Sequence, residues 1–320
     1  MATTGIWSIQ KVYNKQLSGQ WVTSAYSPPV EAVWFGGGIS ESRVDRVTVS
    51  TDTNTATVRG PLSAAARYVR ATGNSTYGWF AAANTNPSRV ERITFSTDTA
   101  ATSIRGPLAA GGYLLVAMTA QTASYLGGGY DGGLYRTSVN RITHATDTAT
   151  ATLVGSFPTN VQSGAAVSDT TTYGWANQGA AAPTLTQVTT IYRITYASDT
   201  TLATTRGPLS TPRTRFAASF NTSYGWFAGG ATPTQLSSID RLTYATDTAI
   251  TTTRGPLAQN RIDHAAGGTQ SVGYFGGGYV PFAATSSITK ITYATDTNTS
   301  VNVGPRAITS RQLGGTSGMY

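Results

Sequence analysis

From about residue 30 onward, apolar and polar positions follow a strand rhythm. Residues 213–257 show it clearly. FAASF (216–220) is a short apolar run, NTS (221–223) a polar turn, YGWFAGG (224–230) an aromatic and glycine run, and ATPTQLS (231–237) a loop. SIDRLTY (238–244) is rich in branched and aromatic residues. In the ATDTA turn (245–249), Asp247 is expected to accept backbone N–H bonds. ITTTR (250–254) is a Thr-rich strand that Gly255 and Pro256 bring to a stop. The pattern predicts four short antiparallel strands and no helix.

The same pattern recurs along the chain. The aromatic phrase returns six times, at Trp34, Trp79, Tyr125, Trp175, Trp226 and Tyr274, in steps of 45, 46, 50, 51 and 48 residues. Each copy is followed by a branched strand and a turn aspartate: Asp52, Asp98, Asp147, Asp199, Asp247 and Asp296. RGPL closes four of the units, while VGSFP at Val154 and VGPR at Val303 are its decayed forms. A four-stranded unit of this length is the size of one β-propeller blade, and radial repetition leaves only short strand edges. The expected fold is therefore all-β: a six-bladed β-propeller of four-stranded antiparallel blades over 30–320, preceded by an N-terminal arm over 1–29. The blades centre on 34–62, 79–108, 125–158, 175–209, 226–257 and 274–305. The first blade lacks an inner strand of its own, so residues around Gln312–Ser317 are expected to supply it and close the ring.

In register, GPLSTPRTRFAASFNTSYGWFAGG (207–230) followed by SSIDRLTYATDTAITT (237–252) resembles the kelch repeat. The shared marks are a Pro-Arg stretch, an aromatic strand ending in Gly-Gly, and a branched strand ending in Tyr before an Asp and Thr turn. RIDHAAGG (261–268) fits the same frame. Kelch units carry a Trp just after the turn, where this chain has Thr, Ile or Ser. The opening GIWSIQKVYNKQLSGQW (5–21) belongs to no unit. Ser8 would cap a short helix with Ile9, Val12, Tyr13 and Leu17 on one face, ended by Gly19. This opening, together with the Thr-rich YATDTA repeats, resembles virion structural proteins of tailed phages of the marine and cyanophage type.

Composition narrows the chemistry. There is no cysteine, which excludes disulfides, thiolate metal sites, cysteine nucleophiles and the Tyr–Cys copper chemistry of kelch-type oxidases. No run approaches the roughly 18 apolar residues of a membrane span, and the start lacks the basic and apolar parts of a signal peptide. Net charge is +8 although only 11 % of residues are charged. Arg46, Arg92, Arg141, Arg193, Arg241 and Lys290 occupy one repeat position. They are expected to brace blades against a carboxylate or carbonyl. The other reading is an electropositive face for acidic surface sugars or nucleic acid. Nucleic acid is not expected, because no aromatic-plus-basic stripe accompanies the arginines.

A side chain present in every unit serves the unit, so function is sought where the repeat breaks. The turn aspartates stand singly and are read as turn residues, with no metal or cofactor expected. His144 and His264 sit at ordinary strand positions, and Asn74, Asn221 and Asn298 are read as turn residues despite their N-x-S/T pattern. The loops after the aromatic strand do vary. Tyr130, Asp131, Tyr135 and Arg136 in the third unit, and Tyr279 and Phe282 in the sixth, are the candidate binding residues.

The expected function is non-enzymatic, with no catalytic residues: a virion structural protein such as a tail fibre, adhesin or tail accessory protein. It would be made in the host cytoplasm and display loops toward a host-surface glycan or another virion protein, in multiple copies. Trp7, Ile9, Val12, Tyr13, Leu17 and Trp21 would dock the arm onto the particle, with no membrane insertion. The alternatives are a polysaccharide lyase or hydrolase, which needs convergent paired carboxylates, and an intracellular adaptor for protein partners.

Overall fold

The structure, a computed structural model, describes residues 31–318. The expected docking residues Trp7, Ile9, Val12, Tyr13, Leu17 and Trp21 lie outside them. Six four-stranded antiparallel sheets form a β-propeller. In the fifth blade, from the axis outward, the strands are Ala217–Phe220, Tyr224–Ala228, Ile239–Thr243 and Thr252–Arg254, with Trp226 opposite Arg241. The other five innermost strands are Gly314–Ser317, Arg70–Gly73, Val116–Thr119, Ala166–Ser168 and Ala265–Gly268. Each touches the next around a closed ring. Gly314–Ser317 pairs with Ala32–Gly36, so the first blade takes one strand from the chain's end and three from its beginning.

Both faces of a blade are buried, and this explains why the second strands read as unbroken apolar runs. Trp34, Trp79, Trp175 and Trp226 face the following blade, where they meet the Phe80, Leu126, Phe227 and Phe275 of its second strand. Among the described residues the core is therefore six separate clusters, one at each blade boundary.

Each boundary also carries a polar clamp. At the first, Asp98 Oδ2 accepts the Trp34 indole N–H at 2.8 Å and Arg46 at 3.0 Å, with Arg59 Nε at 3.4 Å. Trp79, Arg92 and Arg105 meet Asp147 in the same way, Trp175, Arg193 and Arg206 meet Asp247, and Trp226, Arg241 and Arg254 meet Asp296. The third and sixth boundaries are lighter. Tyr125 and Arg141 hold Asp199, and Tyr274 and Lys290 hold Asp52, while the outer-strand arginine is replaced by Val154 and Val303. The aspartate thus acts across the boundary, where the sequence suggested a bond within its own turn. The turn itself is a single 3-10 turn, Tyr244–Thr246 in the fifth blade, with Asp247 at its C-terminal end.

Other parts of the phrase also serve this clamp. Tyr77, Tyr173 and Tyr224 lie under the guanidinium groups of Arg92, Arg193 and Arg241, at 4.0, 4.2 and 4.5 Å. The aromatic residue after the third strand stacks on the preceding blade's Trp, as Tyr244 does on Trp175 at 4.1 Å. The outer strand ends at Arg206, directly before the glycine of RGPL, as its sequence suggested, and that glycine has a second role at the blade boundary. A Cβ on Gly207 would lie 1.9 Å from the Ala249 carbonyl oxygen of the next blade, and the Gly207 N–H donates to Asp247 O at 2.8 Å. One further difference is local: three loops read as irregular contain two-stranded ribbons, such as Ala231–Thr232 with Thr234–Gln235.

Candidate functional site

The clamps and their neighbours engage most of the reactive side chains. Of the 14 acidic residues, the six turn aspartates sit in the clamps. Asp45 pairs with Arg306 and Asp240 with Arg213, all four fully buried, while Glu91 holds Arg89, Ser63 and Thr102. Asp169 accepts three N–H groups of its own turn. No group of three or more His, Cys, Asp or Glu is placed to hold a metal among the described residues, and no helix among them is long and apolar enough to cross a membrane.

The histidines are also absorbed by packing. His144 takes the place of the stacking tyrosine and lies on Trp79 at 4.2 Å, and burial draws its pKa down to about 4. Its Nε2 is 2.9 Å from Ser124 Oγ, but Ser124 is fully buried and receives Thr72 Oγ1 at 2.7 Å, so this contact is structural. His264 stands where the equivalent residues are Val69, Leu115, Gly164, Phe216 and Leu313, and burial pushes its pKa well below the usual value. Asn74 and Asn221 cap their own turns, each accepting two backbone N–H groups.

Unrepeated side chains collect on one face. Because successive strands are antiparallel, the loops between second and third strands share a face with the connectors that lead into each inner strand. Backbone bonds join the two sets, as between Tyr113 and Tyr130, Thr214 and Ala231, and Ile262 and Tyr279. The last connector residues, Tyr68, Leu114, Ser163, Arg215, Asp263 and Gln312, all have positive φ, between 54° and 64°. For L residues this costs of order 1 kcal/mol each. In five of the six consecutive pairs, the N–H of one donates to the carbonyl of the one before, at 2.7–3.0 Å. This hydrogen-bonded circle rims the axial channel. It carries six different side chains, in contrast to the near-identical clamps.

The channel itself is narrow, with a cavity of about 80 Å³, and its wall includes Ala71, Ala117, Ala166, Ala218, Ala266 and Gly315. At its mouth a smaller space of about 20 Å³ is lined by all six rim residues together with Arg70, Phe216 and His264. A larger concavity of about 370 Å³ lies against the third boundary, but its cation Arg141 is already held by Asp199.

From the mouth, a row of tyrosines leads outward over the third blade. Tyr68 stacks on Tyr113 at 5.6 Å, Tyr113 meets Tyr130 edge-on at 5.6 Å, and Tyr130 meets Tyr135 at 4.8 Å. Burial, with the adjacent phenols, raises the Tyr113 pKa and keeps its hydroxyl protonated. Asp131 accepts the N–H groups of Gly133 and Leu134, which hold its carboxyl below its usual pKa, and it pairs with Arg136. Of the residues expected from sequence, Tyr130, Asp131, Tyr135 and Arg136 are thus brought together. Tyr279, under Arg311 at 4.8 Å, and Phe282, 95 % exposed, sit on the opposite blade. None of the six lines the mouth. The rim residues were overlooked in the sequence. The signal available was a column reading Tyr, Leu, Ser, Arg, Asp and Gln, two or three residues before each inner strand.

No family model matches the chain, and no curated protein matches it. The class it can be given is the one its fold defines, a six-bladed β-propeller.

Proposed function

We propose that the protein is a non-enzymatic recognition module whose connector face binds a saccharide along the Tyr68, Tyr113, Tyr130 and Tyr135 row. The observation that carries this reading is the division of the sequence's chemistry. Side chains repeated in all units close blade boundaries, and those that vary gather on one face as half-buried aromatic rings on a rigid scaffold. Flat aromatic faces with hydroxyl and guanidinium groups at their edges suit sugar rings, which present C–H patches and hydroxyls together.

The wider setting of the proposal is a tailed-phage particle, as a tail fibre, adhesin or accessory protein attached through residues 1–29. It rests on the likeness of the N-terminal segment and the YATDTA repeats to such virion proteins. Many copies on one particle would raise weak single-site affinity by avidity.

A glycan array probed with the full chain and with Tyr113→Ala tests the reading. Retention of a saccharide by the full chain, lost in the variant, supports it. Release of shorter products from a retained polysaccharide would overturn it in favour of an enzyme. Particles assembled with a chain lacking residues 1–29 test the docking: incorporation without the arm would refute it.

A further inference from the structure

The channel mouth holds a charge that the repeat does not explain. Arg70 is the one charged residue on any of the six innermost strands, where its counterparts are Val116, Ala165, Ala217, Ala265 and Gly314. Its Nε donates to Leu115 O at 2.6 Å and its Nη1 to Val69 O at 3.3 Å, both uncharged acceptors. It stands at the one junction of the rim where no backbone bond joins consecutive rim residues, between Tyr68 and Leu114. Burial lowers its pKa to about 10, so it remains a cation at neutral pH. The adjacent carboxylate, Asp263, is held by both Nε and Nη2 of Arg215. Gln312 is 7 % exposed, and its Oε1, beside the same space, accepts no hydrogen bond. Of the arginines within two residues of the rim positions, Arg213 is paired with Asp240, Arg215 with Asp263, and Arg261 is buried on backbone carbonyls, which leaves Arg67, Arg70 and Arg311 with no carboxylate partner among the described residues.

Three requirements follow for whatever enters. It must offer an anionic acceptor to Arg70, a hydroxyl donor to Gln312 Oε1 and an apolar face to Tyr68. Inorganic phosphate fails the third requirement, and a neutral sugar fails the first. A space of about 20 Å³ has room for a water-sized group, such as one carboxylate oxygen, but not for a sugar ring.

We propose that the mouth takes the carboxylate of an acidic saccharide, a uronic-acid unit whose ring rests on Tyr68 while the following units run outward along the tyrosine row. This rests on the saccharide reading above and names the ligand class and the end of the ligand that enters first. Arg70 acts as the anion-binding residue. The Arg215 and Asp263 pair fixes the opposite wall, and the strained rim backbone holds all of these groups in place.

The test is titration of the full chain with tetrasaccharides of galacturonate, glucuronate, mannuronate and guluronate, each beside its methyl ester, with neutral tetrasaccharides and inorganic phosphate as controls. At least one acid is expected to bind, with its ester at least tenfold weaker. Arg70→Met, which keeps the buried stem, is expected to weaken the acid tenfold or more and leave the ester unchanged. Should Arg70→Met fail to fold, the joint change Arg215→Gln with Asp263→Asn, which removes the mouth's ion pair as a unit, is expected to weaken the acid more than the ester. Acid and ester binding alike, or an Arg70→Met chain that binds the acid as well as the parent, would overturn the inference. If neutral sugars bind and Tyr113→Ala abolishes it, the surface reading stands while the mouth site falls. If no saccharide binds, both fall.

Discussion

Trp79 donates its indole N–H to Asp147, 68 residues further along the chain, at 2.8 Å, and thereby joins the second blade to the third. Both residues are buried, and Arg92 and Arg105 close on the same carboxylate oxygen. Asp147→Ala would strand two guanidinium groups and an indole N–H. A loss of about 3–5 kcal/mol is expected, as for other buried pairs deprived of one partner. Asp199→Ala, at the lighter third boundary, is expected to cost less. Denaturant midpoints of the two variants, measured side by side, check the order; equal losses would mean that the second arginine contributes nothing.

Gly207→Ala should be among the most damaging single-methyl changes in the chain. Its Cβ would meet a backbone carbonyl oxygen at 1.9 Å, and neither blade can yield without losing the Gly207 N–H bond to Asp247 O. A destabilisation of about 3 kcal/mol or more is expected, in line with overpacking at a rigid site. Thermal melting against Gly132→Ala, a positive-φ glycine with open space around it, separates the boundary clash from ordinary backbone strain.

Acid should loosen the ring through its two histidines. The folded-state pKa of His144 is about 4 and that of His264 is also depressed, below an unfolded value near 6.5. The unfolded chain therefore binds more protons as pH falls below about 6.5, and stability is lost from there down through the folded pKa values. The slope is at most about 1.4 kcal/mol per pH unit for each histidine, and less for the half-buried His144. His144→Tyr with His264→Leu restores residue types that other blades use at these positions. It is expected to flatten the stability curve between pH 6.5 and 4 relative to the parent chain. Parallel curves for the two proteins would refute this assignment.

Removing residues 314–320 takes away the inner strand of the first blade, with its pairing to Ala32–Gly36 and the bond from Thr316 Oγ1 to Thr72 O at 2.8 Å. Both neighbouring innermost strands lose a partner as well. Loss of native circular dichroism and of tryptophan burial is expected together, across the whole domain. A shortened chain that melts like the parent would show that the ring tolerates an open blade.

The repeat made the architecture readable because each unit writes its strands in the same order, and even the closing strand follows from a missing first strand near Trp34. The reasons behind several repeated letters were less accessible. Asp247 looks like a turn residue and Gly207 like a strand breaker in one dimension. Their partners, Trp175 and Ala249, come from neighbouring blades that only the closed ring brings together. The rim was harder still, since a column of six unlike residues is visible only once every unit is aligned to its inner strand. Tyr130 and Tyr135 were found because they interrupt the repeat locally, whereas Tyr68 and Tyr113 stand in connectors that look like ordinary turns.

The two lighter boundaries also bear on how the ring moves. Around the circle the clamp residues read Trp, Trp, Tyr, Trp, Trp, Tyr, so the weaker joints face each other across one diameter. A ring jointed this way is expected to part first at these two boundaries, which divide it into two arcs of three blades. The Tyr130 and Tyr279 loops stand on the two blades at those joints, so anything gripped between a loop and its neighbour across the joint would register the parting of one arc from the other.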